Sequence, residues 1–154
     1  MKHEAKEHVQ SIGLAAELEQ WTVLLHWLQK IGENFQLSAK HQAALQLVCE
    51  EWFVNIVHYG FKNRSHDDLP YIQITARASA YVPRKVWILF IDNGKPFNPL
   101  QYELPNINLP GQHRPIGGLG IYFIRKKTRL CRYNRAGSYN YFTMELEEEG
   151  REKQ

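Results

Sequence analysis

The hydrophobic period of this chain changes once, near residue 60, and that change restricts the fold more than any single motif. Before it, apolar residues recur at helical spacing. Leu18, Trp21, Leu24, Leu25 and Leu28 mark one helix from Ala15 to about Phe35, with Gly32 near its end. Leu45, Val48, Trp52 and Ile56 form one stripe of a second helix, which starts at a Ser38 N-cap and runs to about Tyr59, where Gly60 stops it. After a polar turn over Asn63 to Pro70 the period becomes two. Tyr71 to Tyr81 alternates Ile72, Ile74 and Ala76, and Val86 to Ile91 is a short apolar run. Leu130 to Tyr133 and Tyr139 to Leu146 read as two further strands with a turn around Ala136-Gly137, and His8 to Leu14 as a first strand.

Between the strand pairs lies a different stretch. Five of the ten glycines fall between Gly94 and Gly120, and five of the seven prolines between Pro96 and Pro115. An irregular segment of that length inside a compact chain points to a lid or binding loop, over about residues 100–116. Beyond it, Gly117-Gly118-Leu119-Gly120 opens an apolar segment, Ile121 to Ile124, that reads as a third helix. Helices and strand pairs in this order do not alternate as in a doubly wound sheet. They predict an α/β (α+β) two-layer sandwich, a mostly antiparallel sheet covered on one face by three helices. With 154 residues, 44% hydrophobic and 23% charged, the chain reads as one domain over 1–154.

No run of about 18 apolar residues occurs, so no membrane span is expected. The charged start, Met1 to Glu7, leads into no signal-like segment. Cys49 and Cys131 make neither a metal-type pair nor a disulfide framework, which points to a reducing, cytoplasmic setting. The net charge is +3, and six of the 19 basic residues fall between Arg125 and Arg135. That cluster fits a solvated face, an acidic partner or a phosphorylated ligand; direct nucleic-acid binding is the less favoured reading. Trp21, Trp27, Tyr122 and Phe123 read as core, and His26 and His41 have no clustered partners.

Three groups of residues could carry chemistry. Glu51, Asn55 and His58, at i, i+4 and i+7, share one face of the second helix. A carboxamide oxygen is a hard ligand suited to magnesium and a glutamate can take a proton, although an exposed polar face has the same pattern. Asp92-Asn93-Gly94-Lys95-Pro96-Phe97-Asn98-Pro99 follows a strand, where an acidic side chain can project into a pocket or simply begin a turn. Gly117-Gly118-Leu119-Gly120 precedes a helix, where amides can approach phosphate oxygens or a hinge can flex. It is neither a P-loop nor a dinucleotide fingerprint.

In order and spacing, the three resemble the N, G1 and G2 boxes of the histidine-kinase-like ATPase superfamily, the Bergerat ATP-binding fold. Glu51 to Gly60 matches the N box, Asp92 to Pro99 the G1 box and Gly117 to Ile121 the G2 box. Within that superfamily the length, the Phe97-Asn98-Pro99 ending and the run Gly117 to Lys126 are similar to the anti-sigma-factor serine/threonine kinases. The resemblance implies ATP and magnesium as cofactors. It implies Asn55 as the magnesium ligand and Glu51 as the base acting on an acceptor hydroxyl. His58 would stand near the phosphates, and Asp92 would accept the adenine amine, with Gly94 and Phe97 beside it. Gly117, Gly118, Leu119 and Gly120 would cradle phosphate, Arg114 in the lid would reach a terminal phosphate, and Asn140 would stand near adenine.

The function so implied is a regulatory protein kinase in partner switching, phosphorylating a small anti-anti-sigma-type protein, with a sigma factor as a further partner and a homodimer as its assembly. The alternative is an ATP-dependent switch that captures a partner without phosphorylating it. Two features depart from the pattern. Lys126-Lys127-Thr128-Arg129 stands where many relatives carry an acidic residue, and Trp52 and Phe53 are bulkier than the residues usual at those positions.

Overall fold

The computed structural model describes residues 8–62, 68–79, 84–103, 108 and 119–148. Strand β1 (His8–Ala15) is followed by a 3-10 turn (Leu18–Gln20), helix α1 (Trp21–Asn34) and helix α2 (Ala39–Asn55), which runs on into one π-helical turn (Ile56–Gly60). Strands β2 (Tyr71–Ala78) and β3 (Lys85–Asp92) come next, then a 3-10 turn (Pro99–Gln101), helix α3 (Leu119–Lys127) and strands β4 (Leu130–Ala136) and β5 (Tyr139–Glu147). The five strands form one sheet in the order β1-β2-β3-β5-β4, every neighbouring pair antiparallel.

Alternation decides which face is covered. Ile72, Ile74, Ala76 and Ala78 of β2, Val86, Ile88 and Phe90 of β3, and Phe142, Met144 and Leu146 of β5 are buried on one side. They meet Leu24, Leu28 and Ile31 of α1, Leu45, Val48, Cys49, Trp52 and Phe53 of α2, and Ile124 of α3 in one core. Leu45 has no exposed surface, so Leu45→Ala carries the ordinary core cost of about 2–5 kcal/mol. The other face is polar at its β3–β5 end. There Arg77 lies over the Trp87 ring, and the Trp87 indole N–H donates to Glu145. Lys85 and Arg129 share Glu145 and Glu147.

The helix ends follow local chemistry. Ser38 caps α2 as expected, its hydroxyl accepting from the His41 N–H at 3.1 Å. Gly32 stands near the end of α1, as expected. It lies inside the helix where α2 comes close, and a Cβ there would stand 2.0 Å from the Gln42 side-chain oxygen. The left-handed residue after the helix is Gln36, φ 53°, with Leu37 N–H bonded to Gly32 and Gln36 N–H to Glu33. That is the pairing of a Schellman ending. Strand β4 runs three residues past the expected end, and Gly137 at φ 57° makes the two-residue turn into β5.

Trp21 and Trp27 pack against the core as expected, whereas Phe123 is exposed. His41 is buried, neither ring nitrogen has a hydrogen-bond partner among the described residues, and burial lowers its pKa despite the Glu148 charge. Cys49 and Cys131 are both free. No helix among the described residues is long and apolar enough to cross a membrane.

Candidate functional site

A cavity of about 500 Å³ opens where the C-terminal end of α2 meets the ends of β3 and β5, a volume ordinary for a small-molecule site. Helix α2 and its π-helical turn supply Trp52, Asn55, Ile56, Tyr59 and Gly60, while Ile121 of α3 closes the floor. The segment after β3 supplies Lys95, Pro96, Phe97 and Tyr102 as the outer wall. Trp52 lies between Phe142, at 4.4 Å between ring centroids, and Phe97, stacked at 6.1 Å. Phe97 in turn meets Tyr102 at 6.1 Å. The result is an aromatic wall of the kind that receives a flat heterocycle. The buried indole N–H of Trp52 has no acceptor among the described residues.

One end of the cavity is polar and tightly tied. Asp92, the last residue of β3, pairs in register with Asn140 of β5, and both are about 3% exposed. Asp92 Oδ1 accepts from the Gly94 N–H and from Asn140 Nδ2, each at 2.9 Å. The Asp92-Asn93-Gly94 turn is thereby closed by its own first side chain. Lys95 N–H donates to the Gly60 carbonyl at 2.8 Å, joining this turn to the end of α2. Gly94 is required by that approach. A Cβ on it would lie 2.8 Å from Asp92 Oδ1 and 2.9 Å from the Gly60 oxygen.

At the α2 side, Asn55 Nδ2 donates to the Glu51 backbone carbonyl at 2.7 Å. That bond fixes the amide orientation, because the opposite one would set two oxygens against each other. Asn55 Oδ1 is thus turned away from the helix backbone, and no described residue donates to it. Glu51 stands beside Asn55 and against Gly120 of α3; a Cβ on Gly120 would come within 2.6 Å of Glu51 Oε2 and 3.1 Å of Asn55 Nδ2. Partial burial, with the neighbouring Glu50 carboxylate, raises the Glu51 pKa above the ordinary glutamate value.

The π-helical turn alters the sequence-based face. Beyond Asn55 each turn holds more residues than in an α-helix, so i+7 no longer lies above i. His58 is exposed and does not line the cavity, whereas its neighbours Tyr59 and Gly60 do. The structure therefore brings together Asn55, Asp92, Gly94, Phe97, Gly120 and Asn140, with Glu51 alongside, and leaves His58 outside. Leu119 is exposed at the start of α3. Arg114, Gly117 and Gly118 lie outside the described residues, as does most of the segment expected to be a lid.

A model of the histidine kinase-like ATPase domain matches residues 14–146. The chain belongs to this family. Among solved structures, the ATPase domain is similar to the crystal structure of the RsbU and RsbW domains of Rv1364c from Mycobacterium tuberculosis, with a TM-score of 0.61 and 14% identity. The match covers 94% of this chain and 34% of that one, so the chain spans about a third of that protein's length. No curated protein matches it. At this identity the likeness is one of fold, and it agrees with the antiparallel sheet and one-sided helical layer described above.

Several residues that build the cavity and its surroundings were not singled out from sequence. Trp52, Tyr59, Lys95 and Tyr102 line the cavity, and Tyr133 and Arg135 brace it from β4. Tyr133 and Arg135 were within reach of period-two reasoning. Both fall on the more buried side of β4, Tyr133 within the expected strand and Arg135 only once the strand runs to Ala136. The basic cluster proves divided: Arg129 pairs with Glu145 and Glu147, Arg135 donates to the Gly94 carbonyl, and Arg125, Lys126 and Lys127 are exposed in the last turn of α3. Cations there complement the helix dipole.

Proposed function

We propose that this ATPase domain binds ATP in the cavity described and acts as a protein-serine/threonine kinase of the anti-sigma type. The observation that carries the reading is a cavity lined by Asn55 on the α2 side and by the buried Asp92 on the sheet side, with Glu51 next to Asn55 behind that lining. Asp92 accepts the exocyclic amine of adenine, and the base lies against Phe97 and Trp52. The chain's phosphate-side contacts come from the start of α3, where helix N–H groups and the helix dipole favour negative charge. The Phe97-Asn98-Pro99 ending and the run after Gly117 support the anti-sigma kinase assignment over other branches of the family.

Magnesium fits the donors present only in a limited way. Among the described residues no cluster of three or more acidic, His or Cys side chains could hold a metal ion by itself. The outward Oδ1 of Asn55 is one hard oxygen, which suits an ion otherwise held by phosphate oxygens and water. When bound, magnesium neutralises charge on the phosphates. Glu51 is the group that takes the proton from an acceptor hydroxyl; its raised pKa makes it a better base than an exposed glutamate, and such a base is worth about 10²–10⁴ in rate. The substrate is a small anti-anti-sigma-type protein bearing a serine or threonine. A sigma factor as second partner and assembly as a homodimer complete the proposal.

The test is phosphotransfer from γ-labelled ATP, with magnesium, into an extract of the source cells, run beside Glu51→Ala. One small protein carrying acid-stable label that disappears with Glu51→Ala supports the kinase. Tight ATP binding with no labelled protein replaces it with a nucleotide-dependent binding switch.

A further inference from the structure

Two β4 residues that do not line the cavity hold the atoms that do. The Tyr133 hydroxyl donates to Asn140 Oδ1 at 2.6 Å. Asn140 Nδ2 then donates to Asp92 Oδ1 at 2.9 Å and to the Lys95 carbonyl at 2.8 Å. Arg135, paired in register with Asn140, donates to the Gly94 carbonyl at 2.8 Å. A carboxamide has one acceptor oxygen and two N–H donors, and all three are engaged within the protein. The Asp92 carboxylate and the Lys95 carbonyl can only accept, so Asn140 turns its NH2 group to them and its oxygen to the Tyr133 hydroxyl, which donates. Asn140 is thereby occupied in holding Asp92, and the base-reading group is the carboxylate.

We propose that Tyr133 is a positioning residue for base selection. Through Asn140 it holds Asp92 as a fixed hydrogen-bond acceptor, so that the site takes a nucleobase presenting an exocyclic amine and refuses one presenting a carbonyl oxygen there. The proposal rests on the nucleotide reading above. Its force comes from burial, because a desolvated acceptor facing another acceptor goes unpaired, and that costs more than a lost contact in water. The same chain of bonds explains why a tyrosine of β4, two strands from Asp92, is aimed back at the end of the sheet.

The experiment compares Tyr133→Phe, which removes one oxygen, with the wild-type protein. ATP affinity is read by calorimetry, and GTP affinity by competition against a fluorescent ATP analogue. ATP should bind about five- to tenfold more weakly, the scale of one buried hydrogen bond, and GTP should change by less than about twofold, so the preference narrows. Equal weakening toward both nucleotides, or no weakening toward ATP, overturns the positioning role while leaving the ATP site in place. A wild-type protein that binds neither nucleotide takes down the ATP reading and this proposal together. Should Tyr133→Phe fail to fold, the wild-type hydroxyl proton decides. A slowly exchanging Tyr133 resonance that persists when ATP is added supports the relay, and rapid exchange with water overturns it.

Discussion

Gly60 and Gly94 face each other where α2 ends and the Asp92 turn begins, and the structure separates their roles sharply. A Cβ on Gly94 would stand 2.9 Å from the Gly60 oxygen and 3.1 Å from the Gly60 carbonyl carbon, both backbone atoms that no rotamer change can move. A Cβ on Gly60 would meet only Ile56 Cγ2 at 3.6 Å and Gly94 Cα at 4.0 Å, ordinary contacts. Gly94→Ala must therefore push the turn off the helix end. It stretches the 2.8 Å bond from Lys95 N–H to the Gly60 carbonyl, worth about 1 kcal/mol net, and adds an overpacking cost of about 1–3 kcal/mol. A total of about 2–4 kcal/mol corresponds to a melting point lower by about 4–16 °C in a chain of this length. Gly60→Ala should melt within about 2 °C of wild type, having no clash to relieve. Thermal unfolding by circular dichroism reads both, and calorimetry with ATP reads the second consequence, since the displaced turn carries Asp92. If Gly94→Ala melts with the wild type, or Gly60→Ala is the more damaged of the two, the packing argument is refuted.

Three other outcomes follow from particular groups. A methyl on Gly120 would meet the flexible end of Glu51 rather than backbone, so Gly120→Ala should fold normally yet lower phosphotransfer by about 100-fold through a misplaced carboxylate; an unchanged rate would show that Glu51 is not held there. Burial makes ionised Glu51 less favourable in the folded chain, so the native state keeps that proton to higher pH than the unfolded state does. Glu51→Gln should accordingly melt higher than wild type at pH 7, with the gap closing as pH falls below the ordinary glutamate range, and a gap that widens in acid would contradict the sign. Burial drives the Cys49 thiol far up and the half-buried Cys131 less so, so a thiol reagent at pH 8 should leave Cys49 unmodified until the protein unfolds while Cys131 reacts slowly in the native state.

Much of the fold was legible because its determinants are local. The stripe Leu45, Val48, Trp52 and Ile56 did mark the buried face of α2, and the Ser38 cap lay where the side-chain chemistry required. Asp92 and Asn140 were named on separate grounds, and the register between β3 and β5 is what makes them neighbours. The errors lie where geometry is not carried by period. Nothing in the spacing of Glu51, Asn55 and His58 announces a π-helical turn, and within that turn Tyr59 lines the cavity while His58 does not. Gly32 does stand near the end of α1, but period says nothing of its second service, the close approach of α2, nor that Gln36 takes the left-handed position. Ending β4 at Tyr133 hid Arg135. A strand's last residues carry no apolar signal when they face a polar site.

The central claim is that the cavity between α2 and the Asp92 turn is an ATP site. Titration calorimetry of the purified chain with ATP and magnesium, for wild type and Asp92→Ala, tests it most directly. The account predicts saturable one-to-one binding by the wild type and its loss in Asp92→Ala, with both proteins melting cooperatively. Equal ATP binding by the two proteins, or none by a folded wild type, would contradict it.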